Sequence, residues 1–189
     1  MKTLILFAAA ALCLCQSCAT MDAEKTPTTR VADTTRTFAE KIQVIERDIS
    51  SMEEAADLDY SATYVDLFEN PEPDFTAALA FIKDGHNTLQ QKQIAAYAMS
   101  NLPLDKYLQF ASTAYRAYRT RNAAEELIAQ IVLYKYPSPS NKIVMNYQNP
   151  GVIQLLSQLK ADSRLSPEFK KEVDDVLSGV TLKDHLAKK

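Results

Sequence analysis

Helical periodicity across residues 74–136 constrains the fold of this chain more than any other feature. Apolar residues recur there at spacings of three and four, the spacing that puts side chains on one side of a helix. The first of these stripes consists of Phe75, Ala78, Leu79 and Ile82. The stretch therefore predicts a series of amphipathic helices that must bury one face against each other.

Start and stop signals divide the stretch into helix pairs. Asp74 is the expected N-cap of the first helix, because its carboxylate can accept from the free amides of the first turn. Gly85 is the expected left-handed residue that ends this helix. Asn87 and Gln90 then have the spacing of a capping box, which predicts the start of a second helix. Since the break is short, we expect an antiparallel pair.

A second pair follows in residues 103–136. Its first helix carries an apolar stripe of Leu104, Leu108, Ala111, Tyr115 and Tyr118. Asn122 and Glu125 have capping-box spacing before the next helix. That helix has apolar residues around most of its circumference, namely Leu127, Ile128, Ile131, Val132 and Leu133. Such a helix has to be buried on several sides, so we expect it at the centre of the core.

The third pair has clear helix starts. Asn149 followed by Pro150, and Ser166 followed by Pro167, each place a capping side chain before a proline at the first helical position. Gly179 is expected to end the last helix. Residues 142–148, just before this pair, fit either an extended piece or one turn of helix.

An amphipathic helix precedes all three pairs. Its apolar residues follow at alternating steps of four and three, and Thr34 or Thr35 is the expected cap. The stripe consists of Phe38, Ile42, Ile45, Ile49 and Met52. This narrow stripe could pack on the helix pairs or pair with another chain.

The fold class that follows is all-α, with antiparallel helix hairpins. Between residues 74 and 179 the three hairpins and the small-residue helix IAAYAMSN resemble a short HEAT-like repeat array. An irregular orthogonal bundle is the alternative arrangement. The resemblance implies a concave face that binds a protein or a peptide.

Residues 1–18 have the pattern of a secretory signal peptide. Lys2 is followed by an eleven-residue apolar run that is too short to span a bilayer. Leu14-Cys15-Gln16-Ser17-Cys18 resembles a bacterial lipobox, with Cys15 in place of the usual aliphatic residue, and this implies lipidation of Cys18. Cleavage after Ala19 would instead release a soluble periplasmic or secreted protein. We favour the periplasmic lipoprotein, because the polar segment 19–33 fits a tether.

The remaining chain is predicted to be one all-helical domain over residues 34–180, with a basic tail at 181–189. No transmembrane helix is expected in the mature chain. All three cysteines lie in the leader, so no disulfide is expected. Removing the leader leaves 20 basic and 24 acidic residues, a net charge of −4. That sign, together with export, disfavours a nucleic-acid partner.

Negative charge is concentrated in residues 46–74, which contain ten acidic residues and one arginine. They could form a solvated face that runs into a proline-rich connection, or an anionic surface for a cationic partner. A calcium-binding EF-hand loop is excluded, because Ala62 and Phe68 stand where such a loop needs glycine and glutamate.

The sequence predicts no catalytic residue, no metal site and no cofactor. It has two histidines and no HExxH, G-x-S-x-G, P-loop or G-x-G-x-x-G motif. His86 lies in the predicted turn of the first pair, where we expect it to face solvent. Hydrolysis by paired carboxylates is an open alternative, since two acids could meet in the fold.

Tyrosines and arginines are concentrated in the second helix pair, and they are the candidate contact residues for a protein partner. Arginine forks onto carboxylates, and both residue types are enriched at binding hot spots. The candidates are Tyr107, Tyr115, Arg116, Tyr118, Arg119, Arg121 and Tyr134. We therefore expect a non-enzymatic, envelope-anchored protein-binding module. An immunity or inhibitor protein that blocks a toxin or a cell-wall hydrolase is the alternative.

Overall fold

The structure is a computed structural model that describes residues 35–50, 62–133 and 142–181. Within these ranges the chain forms nine α-helices and no strand, so the predicted all-α fold class is confirmed. In chain order the helices are α1 (Phe38–Ser50), α2 (Ala62–Glu69), α3 (Phe75–Phe81), α4 (Leu89–Met99), α5 (Leu104–Arg119), α6 (Glu125–Val132), α7 (Lys142–Met145), α8 (Pro150–Ala161) and α9 (Pro167–Leu177). The leader with Cys18, the tether and residues 182–189 of the basic tail lie outside the described residues.

The predicted helix pairs are in contact. Helix α3 packs on α4, α5 packs on α6, and α8 packs on α9. Helix α4 also contacts α1, α2 and α6, and α5 also contacts α3 and α8. The alanines of α4 at positions 95, 96 and 98 are buried, and their small side chains let neighbouring helices approach closely. Helix α4 therefore packs against four other helices of the described chain, while the HEAT-like resemblance stays a prediction.

Helix α6 is buried as its apolar circumference predicts. All five of its predicted core residues are 4% exposed or less, namely Leu127, Ile128, Ile131, Val132 and Leu133. Phe110 of α5 and Met99 of α4 are fully buried in the same core. The expectation that this helix belongs to the core is confirmed.

Helix α1 packs against the bundle through the stripe that the sequence shows. Phe38, Ile42 and Ile45 are buried, and the Phe38 ring meets the Phe81 ring edge-on at a centroid distance of 5.3 Å. The cap is Thr37 rather than Thr34 or Thr35, because Glu40 N donates to Thr37 Oγ1 at 3.4 Å and Thr37 N donates in return to Glu40 Oε2 at 2.7 Å. These three residues of the stripe are thus used in core packing, while Met52 and the side chain of Ile49 lie outside what the structure describes.

Two predicted signals at the α3–α4 connection are wrong by small margins. Thr88, not Asn87, caps α4, and its capping-box partner is Gln91. The Asn87 amide instead donates to Phe81 O at 2.8 Å, at the end of α3. Gly85 is not left-handed, since the positive φ values in the described ranges belong to Arg121 and Gly179.

The predicted capping box before α6 is also wrong. Ala124 occupies the N-cap and provides no side-chain hydrogen bond. The Glu125 carboxylate instead accepts from the backbone N and the hydroxyl of Ser166, at 3.0 and 2.5 Å. The Glu125 side chain therefore binds a residue at the start of α9 instead of completing the capping box that the local sequence predicts.

The last helix pair begins and ends as predicted. Asn149 caps α8 by accepting from Gly151 N, and Ser166 caps α9 by accepting from Phe169 N. Gly179 has a φ of 74° and follows the last turn of α9. Residues 142–145 of the ambiguous segment are helical, with Ile143 buried.

A buried ion cluster joins three helices near the N-terminal end of the described chain. The ammonium group of Lys41 on α1 contacts Asp66 Oδ2 of α2 and lies 2.7 Å from Asp74 Oδ2 at the start of α3. The three side chains are 5%, 6% and 13% exposed. Asp74 thus occupies the N-cap position of α3 without capping it, because its carboxylate balances Lys41.

The cluster changes the ionisation of Lys41. Burial by itself lowers the pKa of this ammonium group, but the hydrogen bonds and charges of Asp66 and Asp74 outweigh burial. The pKa of Lys41 is therefore raised above its ordinary value of 10.5. The stabilisation of the folded protein by this ion cluster is present below pH 10.5 and is lost as the pH rises through the pKa of Lys41 in the folded state.

We expect Lys41→Met to lower the free energy of unfolding by about 3–5 kcal/mol, because it leaves two buried carboxylates without a counter-charge. Urea unfolding at neutral pH measures this loss.

Lys106→Met is the matched control. Lys106 pairs with Glu72 at 2.9 Å, but the two side chains are 37% and 52% exposed. Breaking an exposed pair changes stability by less than about 1 kcal/mol. Equal losses in the two variants would show that the Lys41 cluster is not a major stabilising contact.

Candidate functional site

The candidate contact residues on α5 and in the loop after it are divided between the core and the surface. Tyr107 and Tyr115 are buried and Tyr118 is partly buried. All three arginines, Arg116, Arg119 and Arg121, are exposed. Tyr134 lies outside the described residues. Helix α5 therefore presents its tyrosines to the bundle and its arginines to solvent.

Tyr107 is a core residue rather than a surface contact. It is 4% exposed, and its hydroxyl donates to Ile131 O at 2.7 Å. Ile131 lies in the last turn of α6, where backbone carbonyls lack a partner within the helix. Tyr107 therefore satisfies the end of α6 and takes no part in a surface site.

Tyr115 links α5 to the loop between α8 and α9. Its hydroxyl donates to Asp162 Oδ2 at 2.8 Å, and Asp162 also accepts from the Arg164 guanidinium. The Arg164 contact is a two-point fork, with Nε 2.9 Å from Oδ1 and Nη2 2.5 Å from Oδ2. Neither Asp162 nor Arg164 is among the contact residues predicted from the sequence. Their i, i+2 spacing in a polar loop gives no sign of the contact with α5.

Arg164 also holds the end of α5 through two other contacts. Its Nη1 donates to Arg119 O at 2.9 Å, and its guanidinium lies over the Tyr118 ring, 5.5 Å from the centroid. The Tyr118 hydroxyl in turn donates to Arg164 O at 3.1 Å. The α8–α9 loop and the last turn of α5 are thus fixed to each other from both sides.

These contacts shift the pKa values of the groups involved. Hydrogen bonds from the Arg164 guanidinium hold the pKa of Asp162 well below its usual value of 3.8, against the effect of burial. Burial, together with the hydrogen bond to Asp162, raises the pKa of Tyr115. Asp162 is therefore ionised, and Tyr115 protonated, at neutral pH.

Helix α5 ends in a Schellman motif that has arginine where glycine is usual. Asn122 N donates to Ala117 O at 2.9 Å and Arg121 N donates to Tyr118 O at 2.9 Å. Arg121 has a φ of 66°. A left-handed backbone costs a residue with a side chain about 1–2 kcal/mol. The position of the Arg121 side chain is thus set by a strained but hydrogen-bonded backbone.

The two arginines on the helix itself are held by neighbouring groups. Arg116 Nε donates to Ser112 O at 3.3 Å and its Nη2 donates to Thr113 Oγ1 at 3.2 Å. The Arg119 guanidinium lies 6.0 Å from the centroid of the Tyr115 ring. Within the described ranges, no carboxylate forms an ion pair with either arginine or with Arg121. We call Arg116, Arg119 and Arg121 the arginine edge.

A buried lysine extends the positive charge behind this edge. Lys92 of α4 is 4% exposed, and its Nζ donates to Asn122 O at 2.5 Å, just beyond the end of α5. Burial lowers the pKa of Lys92. The Asn122 amide also donates to Lys83 O at 3.3 Å, so the end of α5 lies beside the α3–α4 loop.

Two acidic residues, Asp84 in that loop and Asp162 in the α8–α9 loop, are already engaged in other contacts. Asp84 Oδ1 accepts from the His86 backbone and lies 2.9 Å from His86 Nδ1. The His86 side chain is 99% exposed, as expected for a turn residue. Asp162 is bound by Arg164 and Tyr115.

The acidic region at residues 46–74 makes mostly internal contacts where the structure describes it. Asp66 and Asp74 balance Lys41, and Glu72 pairs with Lys106. Glu46 Oε2 accepts from the Gln91 side chain at 2.8 Å, which joins α1 to α4. The acidic residues at positions 53–59 lie outside the described residues. Asp66 and Asp74 are therefore used within the fold rather than on a solvated face, and an anionic binding surface in this region stays a prediction.

The described residues contain no group of three or more histidine, cysteine, aspartate or glutamate side chains arranged to hold a metal ion. Over the same part of the chain, no helix combines the length and the apolar character needed to cross a bilayer.

We expect Asp162→Asn to lower the free energy of unfolding at neutral pH by about 1–3 kcal/mol, because charged hydrogen bonds to Arg164 and Tyr115 are weakened. The folded state depresses the pKa of Asp162, so this stabilisation is present above pH 3.8 and is lost as the pH falls through the folded pKa. The difference in the free energy of unfolding between wild type and variant should become smaller as the pH falls below about 4.

Urea unfolding at a series of pH values measures this difference. Asp175→Asn removes the same charge from α9 and serves as the control. If the wild type stays more stable than Asp162→Asn by the same free energy of unfolding at acidic pH, the lowered pKa of Asp162 is contradicted.

Comparison of the chain with protein-family models, with curated proteins and with solved structures finds no match at any of the three levels. The interpretation of the site therefore depends on its geometry and on the sequence.

Proposed function

We propose that this protein is a non-enzymatic binding module of the bacterial cell envelope, and that it holds a protein partner at the arginine edge. The observation that carries the proposal is the exposure of three arginines, Arg116, Arg119 and Arg121, which are unpaired within the described ranges. They are exposed on a fixed helix end, and no carboxylate in the described part of the chain pairs with them.

Rigidity of the edge favours binding. Ordering a long, flexible side chain at an interface costs about 0.5–1.5 kcal/mol. Arg116 is already hydrogen-bonded to α5, and Arg119 already lies against Tyr115. Because part of this ordering has occurred in the free protein, a partner loses less free energy on binding here than at a flexible basic surface.

A non-catalytic role is supported by the inventory of reactive groups. The chain after Cys18 contains no cysteine and only two histidines. His86 is the histidine within the described ranges, and its side chain is almost fully exposed beside Asp84. General bases and nucleophiles usually act in clefts where neighbouring groups shift their pKa values.

Attachment to a membrane is the second part of the proposal. The lipobox-like sequence at residues 14–18 would place acyl chains on Cys18, and residues 19–33 would follow as a tether. A flexible tether of that length spans about 20 Å on average. The helical domain would then remain near the membrane surface and meet partners in the periplasm.

Site-specific photo-crosslinking in cells tests the binding surface. A benzophenone side chain is placed at Thr120, which is exposed beside the arginine edge, or at Asp105, which is exposed at the other end of α5. The two positions are about 20 Å apart along the helix. We expect a discrete cross-linked protein from position 120 and none from position 105. Equal cross-linking from both positions, or none from position 120, would remove the proposal.

Radiolabelled palmitate tests the anchor. We expect the label to enter the wild-type chain and to be absent from Cys18→Ser, because only the thiol of Cys18 would carry the lipid. Cys13→Ser, which lies outside the lipobox-like residues 14–18, is the matched control and should keep the label. Equal labelling of wild type and Cys18→Ser would show that Cys18 is not the site of attachment.

A further inference from the structure

The spacing of the exposed arginines points to the shape of the partner. Arg116 and Arg119 are three residues apart on α5, so their side chains emerge from one face within a single turn. We infer that the arginine edge recognises an acidic α-helical segment of a partner protein, whose carboxylates recur once per turn. This inference rests on the proposed function and adds the chemistry and geometry of the partner.

Carboxylates are the groups that best match these donors. A guanidinium presents a planar fork of donors that fits a carboxylate at two points. The fork between Arg164 and Asp162 in the same region shows this geometry within the chain itself. Arg116 and Arg119 have no such partner in the described residues, while the neighbouring Asp84 and Asp162 are already engaged.

A helix has the spacing that two forks one turn apart require. Side chains three or four positions apart on a helix lie about 5–6 Å from each other at their Cβ atoms. Carboxylates at such positions on a partner helix can therefore face Arg116 and Arg119 at the same time. Arg121 lies beyond the end of α5 and can meet a third carboxylate farther along.

The left-handed backbone of Arg121 is a separate observation at the same place. Glycine would occupy this conformation without the steric cost that arginine bears. Strained residues in folded proteins are concentrated at functional sites. A contact made by the Arg121 side chain accounts for an arginine at a position that suits glycine.

A protein fits the edge better than an anionic membrane surface does. Basic surfaces that bind membranes usually carry large apolar side chains that enter the interface. In the described part of the chain, the large exposed apolar residues are Met145, Ile153 and Val180, and none of them belongs to α5. The edge itself presents guanidinium groups, which favours a polar contact with charged side chains.

Two synthetic helical peptides of identical composition test the inference. In one, glutamates stand at i, i+4 and i+7 along one face; in the other, the same glutamates are spread around the helix. We expect the full-length wild-type protein to bind the one-face peptide about tenfold more tightly than its isomer. Fluorescence anisotropy of the labelled peptides gives both affinities.

Variants assign the binding to the edge. Arg116→Gln/Arg119→Gln should weaken binding of the one-face peptide about tenfold or more, because two charged contacts are lost. Lys170→Gln/Lys171→Gln removes the same charge from α9 and should leave the affinity within about twofold. Arg121→Gly suits the left-handed backbone, so it should weaken binding without lowering the free energy of unfolding.

Equal affinity for the two peptides would overturn the inference, since attraction by net charge alone ignores the arrangement of glutamates. Binding to phosphatidylglycerol-containing vesicles without binding to the one-face peptide would also overturn it and would favour a lipid. Failure of the inference is distinct from failure of the proposed function. A specific cross-link from position 120 with no preference between the peptides would leave a partner at the edge but exclude a helical acidic one.

Discussion

The buried ammonium group of Lys41 sets the strictest condition on how the N-terminal helices can be arranged. A buried charge is tolerated only where counter-charges and hydrogen bonds replace water. Asp66 and Asp74 meet this condition from α2 and from the start of α3, so three helices must come together at one point. Apolar stripes alone would allow α1 to slide or rotate on α4. The ion cluster fixes its register and also explains why Asp66 and Asp74 of the acidic region face inward.

A second polar network fixes the end of α5 and creates the candidate site. Asp162 and Arg164 in the α8–α9 loop bind Tyr115, Tyr118 and the backbone of Arg119 at the end of α5. The tyrosines are thereby used within the fold, whereas the neighbouring arginines remain on the surface. One helix therefore serves two purposes: its inner face holds the bundle together and its outer face presents positive charge in a fixed geometry.

Local sequence patterns predicted the helices well and their ends unevenly. The apolar stripes of α1, α5 and α6 and the caps Asn149 and Ser166 are where the sequence places them. Glu125 and Asp74 were predicted to act in local caps, but distant partners have taken their side chains. Arg121, rather than Gly85, adopts the left-handed conformation. A capping carboxylate can bind either the start of its own helix or a distant group that folding brings near. Sequence spacing gives no information on which of the two it binds.

The sequence alone determined the all-α fold class of the described residues, which helix faces are apolar, and that arginines gather near the end of one helix. Periodicity, caps and composition act over a few residues, so they can be recognised without a fold. Only the tertiary structure decided that Tyr107 and Tyr115 belong to the interior and that Arg116, Arg119 and Arg121 remain exposed without a carboxylate partner in the described residues. It also brought Arg164 to the end of α5, 45 positions along the chain from Arg119. Burial and charge pairing depend on which helices meet, and that is a property of the folded chain.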